Sequence, residues 1–210
     1  MGAFARFFVE GGVWMLPIAF VSVLALAVSV ERLYVLLVLY NGDGAKLYEG
    51  IAEAVRKGQT RQAMELCEEV SKTPLAQVME RALSRAGEGE EAVQGALDEV
   101  TQEVTPAIQR RTGALGVLAS LATLLGLLGT VMGLIEAFRV VAEAPPDQKS
   151  VLLTKAIAVA MNTTAFGLMV AIPLMFVSLI LNGATKKILD EIEVYSLKIE
   201  HLLAAQGRKG

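Results

Sequence analysis

Asn162, Thr163 and Thr164 stand side by side in the otherwise apolar stretch VAMNTTAFGLMVAIPL, Val159 to Leu174. A second polar pair, Thr123 and Thr130, lies seven residues apart in SLATLLGLLGTVMGLIEAF, so the two share one helical face. Hydroxyl and amide oxygens of this kind are ligands for a hard cation, or stations for water and protons. They serve equally well to lock helices together. A threonine hydroxyl bonds the carbonyl one turn back at little cost, and an asparagine near the membrane core finds its partner on another helix. The residues alone leave an ion or water pathway and plain helix packing both open.

Other chemistry is scarce. Cys67 is the only cysteine and His201 the only histidine, so one chain builds no disulfide and no His/Cys zinc site, and a Ser-His-Asp triad is not expected. Cys67 reads as a small apolar residue on a helix face and His201 as a solvated one. A net charge of -3 gives no footprint for nucleic acid. Without a nucleophile, base or metal constellation, the chain is expected to be neither an enzyme nor a holder of cofactor or metal.

The elements that must position these residues follow from composition. The chain is 54% hydrophobic with a mean hydropathy of +0.52, and its apolar residues gather in three blocks, which predicts an all-α integral membrane protein. The first block runs from Gly11 to Val30, meets Glu31-Arg32 and resumes as LYVLLVLY; the second spans Gly113–Ile135 and the third Ala156–Leu181. Twenty residues at about 1.5 Å each cover the roughly 30 Å hydrocarbon core. A cleaved signal peptide is not expected, because only Arg6 precedes the first block and the apolar run continues past Ala25-Leu26-Ala27.

Lys and Arg set the orientation. Arg6 alone precedes the first span. Between the first and second lie Lys46, Arg56, Lys57, Arg61, Lys72, Arg81, Arg85, Arg110 and Arg111, and Lys186-Lys187 follow the third. The predicted order is therefore a periplasmic N-terminus (1–10), a first transmembrane helix with a cytoplasmic extension (11–40) and a cytoplasmic helical region (41–112). A second transmembrane helix (113–138), a periplasmic loop (139–155), a third transmembrane helix (156–181) and a cytoplasmic C-terminal helix (182–210) follow.

Within 41–112, Gly and Pro cut the chain into short helices. Gly58 is a good C′ residue, Thr60 a cap for RQAMELCEEV, and Thr73-Pro74 an N-cap followed by proline at N1. EEAVQGALDEVTQEVTPAIQRR carries a stripe at Val93, Leu97, Val100, Val104 and Ile108 and is expected to run straight into the second span. A matching stripe, Ile188, Ile192, Tyr195, Ile199 and Leu202, follows the third span, so the two extensions can pack on each other. In the second span Ala122, Gly126, Gly129 and Gly133, spaced 4, 3 and 4, let another helix approach closely. Gly167 and Pro173 follow the threonines of the third, the proline bending the helix and releasing a carbonyl.

At these spans the sequence resembles the MotA/TolQ/ExbB family, the ion-channel subunits of motors energised by ion-motive force. LGLLGTVMGLIEAF (Leu125 to Phe138) is similar to the family's Leu-Gly-x-x-Gly-Thr-Val-x-Gly signature. IAVAMNTTAFGLMVAIP (Ile157 to Pro173) is similar to its Ile-Ala-x-Ala…Thr-Ala-x-Gly-Leu…Ala-Ile-Pro pattern, and ERLYVL to the end of the first span in the TolQ/ExbB branch. The resemblance implies a homopentameric ring in the bacterial inner membrane around two helices of a single-span partner of the ExbD/TolR/MotB type. The partner's aspartate carries the ion, and Thr130 and Thr164 match pore-facing threonines. Members of the family drive varied loads chosen by the partner, so the load stays open.

One departure stands out. ExbB-like members often carry glutamate where this chain has Val159, and between Gly113 and Leu181 the only acidic residues are Glu136, Glu143 and Asp147, at the end of the second span and in the loop after it. Glu136 and Arg139, three apart, are expected to form an interfacial pair. Threonine hydroxyls cannot hold a proton alone, so the titrating group must come from the partner. Sodium-driven stator subunits resemble this chain in having two threonines where Thr163 and Thr164 stand. Translocated protons are the expectation on the overall resemblance, with sodium the alternative. Asn162 has no family role and is expected to pack against a neighbouring subunit. A non-conducting scaffold is the reading from another class.

Overall fold

The computed structural model describes residues 11–40 and 42–207; the expected outer N-terminus, 1–10 with Arg6, lies outside them. Every regular element among the described residues is a helix. The helices are α1 (Met15–Tyr34, followed by a π-turn, Val35–Leu39), α2 (Gly44–Arg56), α3 (Thr60–Glu69), α4 (Pro74–Ser84), α5 (Glu90–Gln109), α6 (Thr112–Glu143) and α7 (Lys149–Gly207). Among the described residues three stretches are long and apolar enough to cross a membrane, one carried by each of α1, α6 and α7. The chain divides into two compact units, Met1–Val30 with Gly113–Leu179, and Glu31–Thr112 with Ile180–Gly210.

In the first unit the apolar parts of three helices meet over small side chains. Ala25, Ala119, Ala122, Ala171 and Leu174 form one buried cluster, and Met15, Ile18 and Phe166 another. Large apolar residues point the other way: Phe20 is 72% exposed, Phe138 62% and Phe176 65%. Contiguous apolar surface of that kind belongs against lipid or a partner rather than water.

The second unit packs short helices on the stripes read from sequence. Val93, Leu97, Val100, Val104 and Ile108 are all buried, as are Ile188, Ile192 and Ile199. The C-terminal stripe ends differently from expectation, with Leu203 buried and Leu202 only partly so, because Ile199 and Leu203 are one turn apart. Gly58 lies at φ +74° just beyond Lys57, the residue that ends α2. The predicted cap at Thr60 is not formed: Gln59 alone separates that turn from α3, so Thr60 is already helical. Asp43 caps α2, accepting from the Lys46 amide at 3.3 Å and pairing with the Lys46 ammonium at 3.1 Å. These bonds hold its carboxyl below the usual range.

Thr73 caps α4, accepting from the Ala76 amide at 3.4 Å with Pro74 at the first helical position. Thr73→Ala is expected to cost about 1 kcal/mol of stability, measurable as a lowered midpoint in thermal unfolding of the detergent-purified protein.

The expectation that α5 runs unbroken into the second span is overturned. α5 stops at Gln109, Arg110 is extended (φ −52°, ψ 132°) and Arg111 adopts φ +60° before α6 begins. An αL residue just past the helix end is a normal stop, though costly without glycine. Here Arg111 is tied down by the Glu31 carboxylate, with Nη1 at 2.6 and 2.5 Å from its two oxygens. Neighbouring Arg32 is buried and donates to the Ala107 carbonyl at 3.5 Å, one of the free carbonyls at the end of α5.

Cys67 is fully buried, and burial, followed by Glu80 and Glu68, pushes its thiol up to about 12. The folded chain is therefore expected to resist maleimide labelling at pH 8 and to label fully once unfolded. Because the folded thiol holds its proton longer than the unfolded one, this contribution to stability is complete below pH of about 8.5 and is lost as pH rises toward 12.

Candidate functional site

The predicted glycine face is the seam between α6 and α7, which run antiparallel. A Cβ on Gly167 would sit 2.7 Å from the Ala122 carbonyl oxygen and 3.0 Å from the Gly126 Cα. A Cβ on Gly126 would meet the Thr163 carbonyl at 3.1 Å and the Thr164 Cα at 3.3 Å, and one on Gly133 would meet Ala160 at 3.0 Å. At Gly129 the neighbours are the Thr163 side chain and Trp14. Side chains at these positions would hold the helices apart. Their absence brings the threonines of both spans to one level.

There Thr130, Thr163 and Thr164 converge on two backbone carbonyls. Thr163 donates to Ala160 O at 2.6 Å and lies 3.4 Å from Gly126 O. Thr164 donates to Gly126 O at 3.1 Å. The Thr130 hydroxyl is 3.1 Å from Ala160 O and 3.2 Å from Gly126 O, and it touches the Thr164 hydroxyl. Five oxygens share three hydroxyl protons. Each proton has an acceptor inside the cluster, so what remains to offer is lone pairs. Such a cluster accepts: it suits a cation, a hydronium or the proton of a carboxylic acid, and it holds no titratable group of its own.

The three threonines are not equivalent. Thr130 and Thr164 are half-buried, whereas Thr163 is 1% exposed and enclosed between the two helices. The Thr163 side chain is thus packed inside the seam, against Gly129. Thr123 stays outside the cluster and donates to Ala119 O, one turn back in its own helix, at 3.2 Å. Asn162 lies about 160° around α7 from Thr164, is half-buried, and its amide has no hydrogen bond to any described residue. α7 continues through Pro173 as helix. The carbonyl deprived of its donor there, that of Met169, lies about 7.5 Å along the axis from Thr164, too far to join the same cluster. Glu136 and Arg139 do pair, loosely, at 3.9 Å on exposed side chains. The acceptors Gly126 O and Ala160 O were not foreseen from sequence; the signal was Ala160, a small residue placed opposite Gly133.

An antiparallel pair of apolar helices sharing a buried hydroxyl–carbonyl cluster defines a polytopic membrane protein with a polar site in its span. The MotA/TolQ/ExbB proton channel family matches residues 70–194, and the chain belongs to it. It is 33% identical over 169 residues to the biopolymer transport protein exbB1 of Vibrio cholerae, covering 77% of this chain and 72% of that protein. A biopolymer transport protein ExbB homolog of Methanothermobacter thermautotrophicus is 26% identical over 196 residues, 92% of this chain and 68% of the relative.

Proposed function

We propose that this chain is the channel subunit of a membrane motor that couples the proton-motive force to work or transport in the cell envelope. It acts with a single-span partner of the ExbD/TolR/MotB type, five copies of the chain forming a ring around a partner dimer in the bacterial inner membrane. The observation that carries the reading is the five-oxygen cluster with spare lone pairs and no carboxylate. A site of this kind accepts a proton-bearing acid from a partner helix but cannot itself titrate. Lys and Arg are concentrated between the first and second spans and behind the third, which supports cytoplasmic placement of the second unit and an N-terminus outside.

Protons are the default ion. In the paired-threonine alternative both hydroxyls would face sodium, and the enclosure of Thr163 supports Thr164 acting alone instead. The scaffold reading draws on the same enclosure, since every hydroxyl proton in the cluster is satisfied within the chain.

The test is ion flux in liposomes holding the protein purified with its single-span partner, proton and sodium gradients being imposed separately. Proton flux that depends on the partner's carboxylate is the expected result. Sodium-dependent flux would move the assignment to sodium. A complex that stays silent even with a plug-deleted partner would move it to the scaffold.

A further inference from the structure

The outer ends of α6 and α7 enclose a groove that the hydroxyl cluster does not use. Its volume is about 320 Å³ and its walls, which include Gly133, Val140, Leu152 and Val159, are almost wholly apolar, with Glu136 and Lys155 at the edge. The groove exists because Gly133 carries no side chain and α7 approaches to within contact of it.

The two charges differ. Glu136 is engaged with Arg139 at 3.9 Å, whereas Lys155 is exposed and forms no ion pair with any described residue. Lys155 lies nine residues before Thr164, about 14 Å of helix rise. That distance is about half a hydrocarbon core, so an ammonium there reaches head-group level while its stem stays in apolar surroundings. Beside the groove, Phe138 and Val151 present exposed apolar surface. The groove is therefore continuous with faces suited to lipid.

We propose that this groove holds one acyl chain of a membrane phospholipid, whose phosphate sits on the Lys155 ammonium. An apolar cleft with one uncompensated cation at its mouth complements an amphiphile with an anionic phosphate. The inference rests on the reading that α6 and α7 cross a bilayer, and not on ion transport. A complex silent in flux that still retains lipid through Lys155 separates the two.

The test is native mass spectrometry of the delipidated protein in mild detergent, titrated with phosphatidylglycerol, phosphatidylethanolamine or diacylglycerol. Both phospholipids are expected to bind and diacylglycerol, lacking the phosphate, to bind at least about fivefold more weakly. Lys155→Gln is expected to cost the same factor and Lys155→Arg to restore binding. Ala156→Phe, which fills the groove, is expected to abolish retention. Equal binding of diacylglycerol, or retention unchanged in Lys155→Gln, overturns the proposal. So does loss of oligomer mass in Ala156→Phe with the lipid count preserved, which would mean that a second copy covers the groove.

Discussion

Gly167→Ala is expected to lower the stability of the protein by about 2 kcal/mol, although alanine is the better helix former. Alanine at an unobstructed helical position gains about 1 kcal/mol over glycine. At residue 167 the added methyl would lie 2.7 Å from the Ala122 carbonyl oxygen and 3.0 Å from the Gly126 Cα, both backbone atoms. No rotamer change relieves such a contact, so α6 and α7 must separate, and overpacking of a tight interface costs about 3 kcal/mol. The difference between the two figures is the expected net loss. In a chain of this size it corresponds to roughly 4–8 °C in the unfolding midpoint.

Gly183→Ala provides the opposite sign within the same helix. No atom lies within 4 Å of a Cβ at residue 183, so only the propensity gain acts there and the midpoint should rise. Circular dichroism melts of both variants in detergent decide the matter. If Gly167→Ala melts with or above the unsubstituted protein, the seam is not packed as described. The hydroxyl cluster that depends on the seam would then lose its geometric basis.

The difference between what was readable in sequence and what was not follows from the range of the interactions concerned. Helix stripes and caps are local. Val93 to Ile108, Gly58 and the Thr73-Pro74 start were all legible, because each is decided within one or two turns. Thr60 failed as a cap because its geometry depends on how tightly the preceding turn closes, which a propensity cannot express. The break at Arg110-Arg111 was illegible for a related reason: neither residue is a helix breaker, and the partner that holds Arg111 is Glu31, eighty residues earlier. In the candidate site, Ala122, Gly126, Gly129 and Gly133 announced a close approach by their spacing. That the approaching helix is the chain's own third span, and that Ala160 lies against Gly133, needed three dimensions. Thr130 and Thr164 were legible as polar residues out of place. The enclosure of Thr163 was not, because adjacent residues on a helix point about 100° apart and sequence does not say which direction is closed.

That enclosure sharpens the prediction of largest functional effect. Thr164→Val keeps the shape of the side chain and removes its hydroxyl, leaving Gly126 O without the donor now at 3.1 Å and Thr130 without its hydroxyl neighbour. One neutral hydrogen bond is worth about 1 kcal/mol, and the backbone carbonyl keeps other donors, so assembly should survive. The lone pairs offered to an ion or to a partner's acid are a different matter, because nothing at that position replaces them. Flux in the reconstituted complex is therefore expected to fall by at least about tenfold, as follows from a loss of about 1.4 kcal/mol at the conducting step. Thr164→Ser keeps the oxygen and should conduct. Thr163→Val should instead act on stability, leaving flux per assembled complex nearly unchanged, because that hydroxyl is spent on Ala160 O at 2.6 Å inside the seam. Proton flux and the mass of the assembled complex, measured on the same three preparations, distinguish the roles. A Thr164→Val complex that conducts normally would refute the pathway, whereas equal losses in Thr163→Val and Thr164→Val would mean that the cluster holds the helices and nothing more.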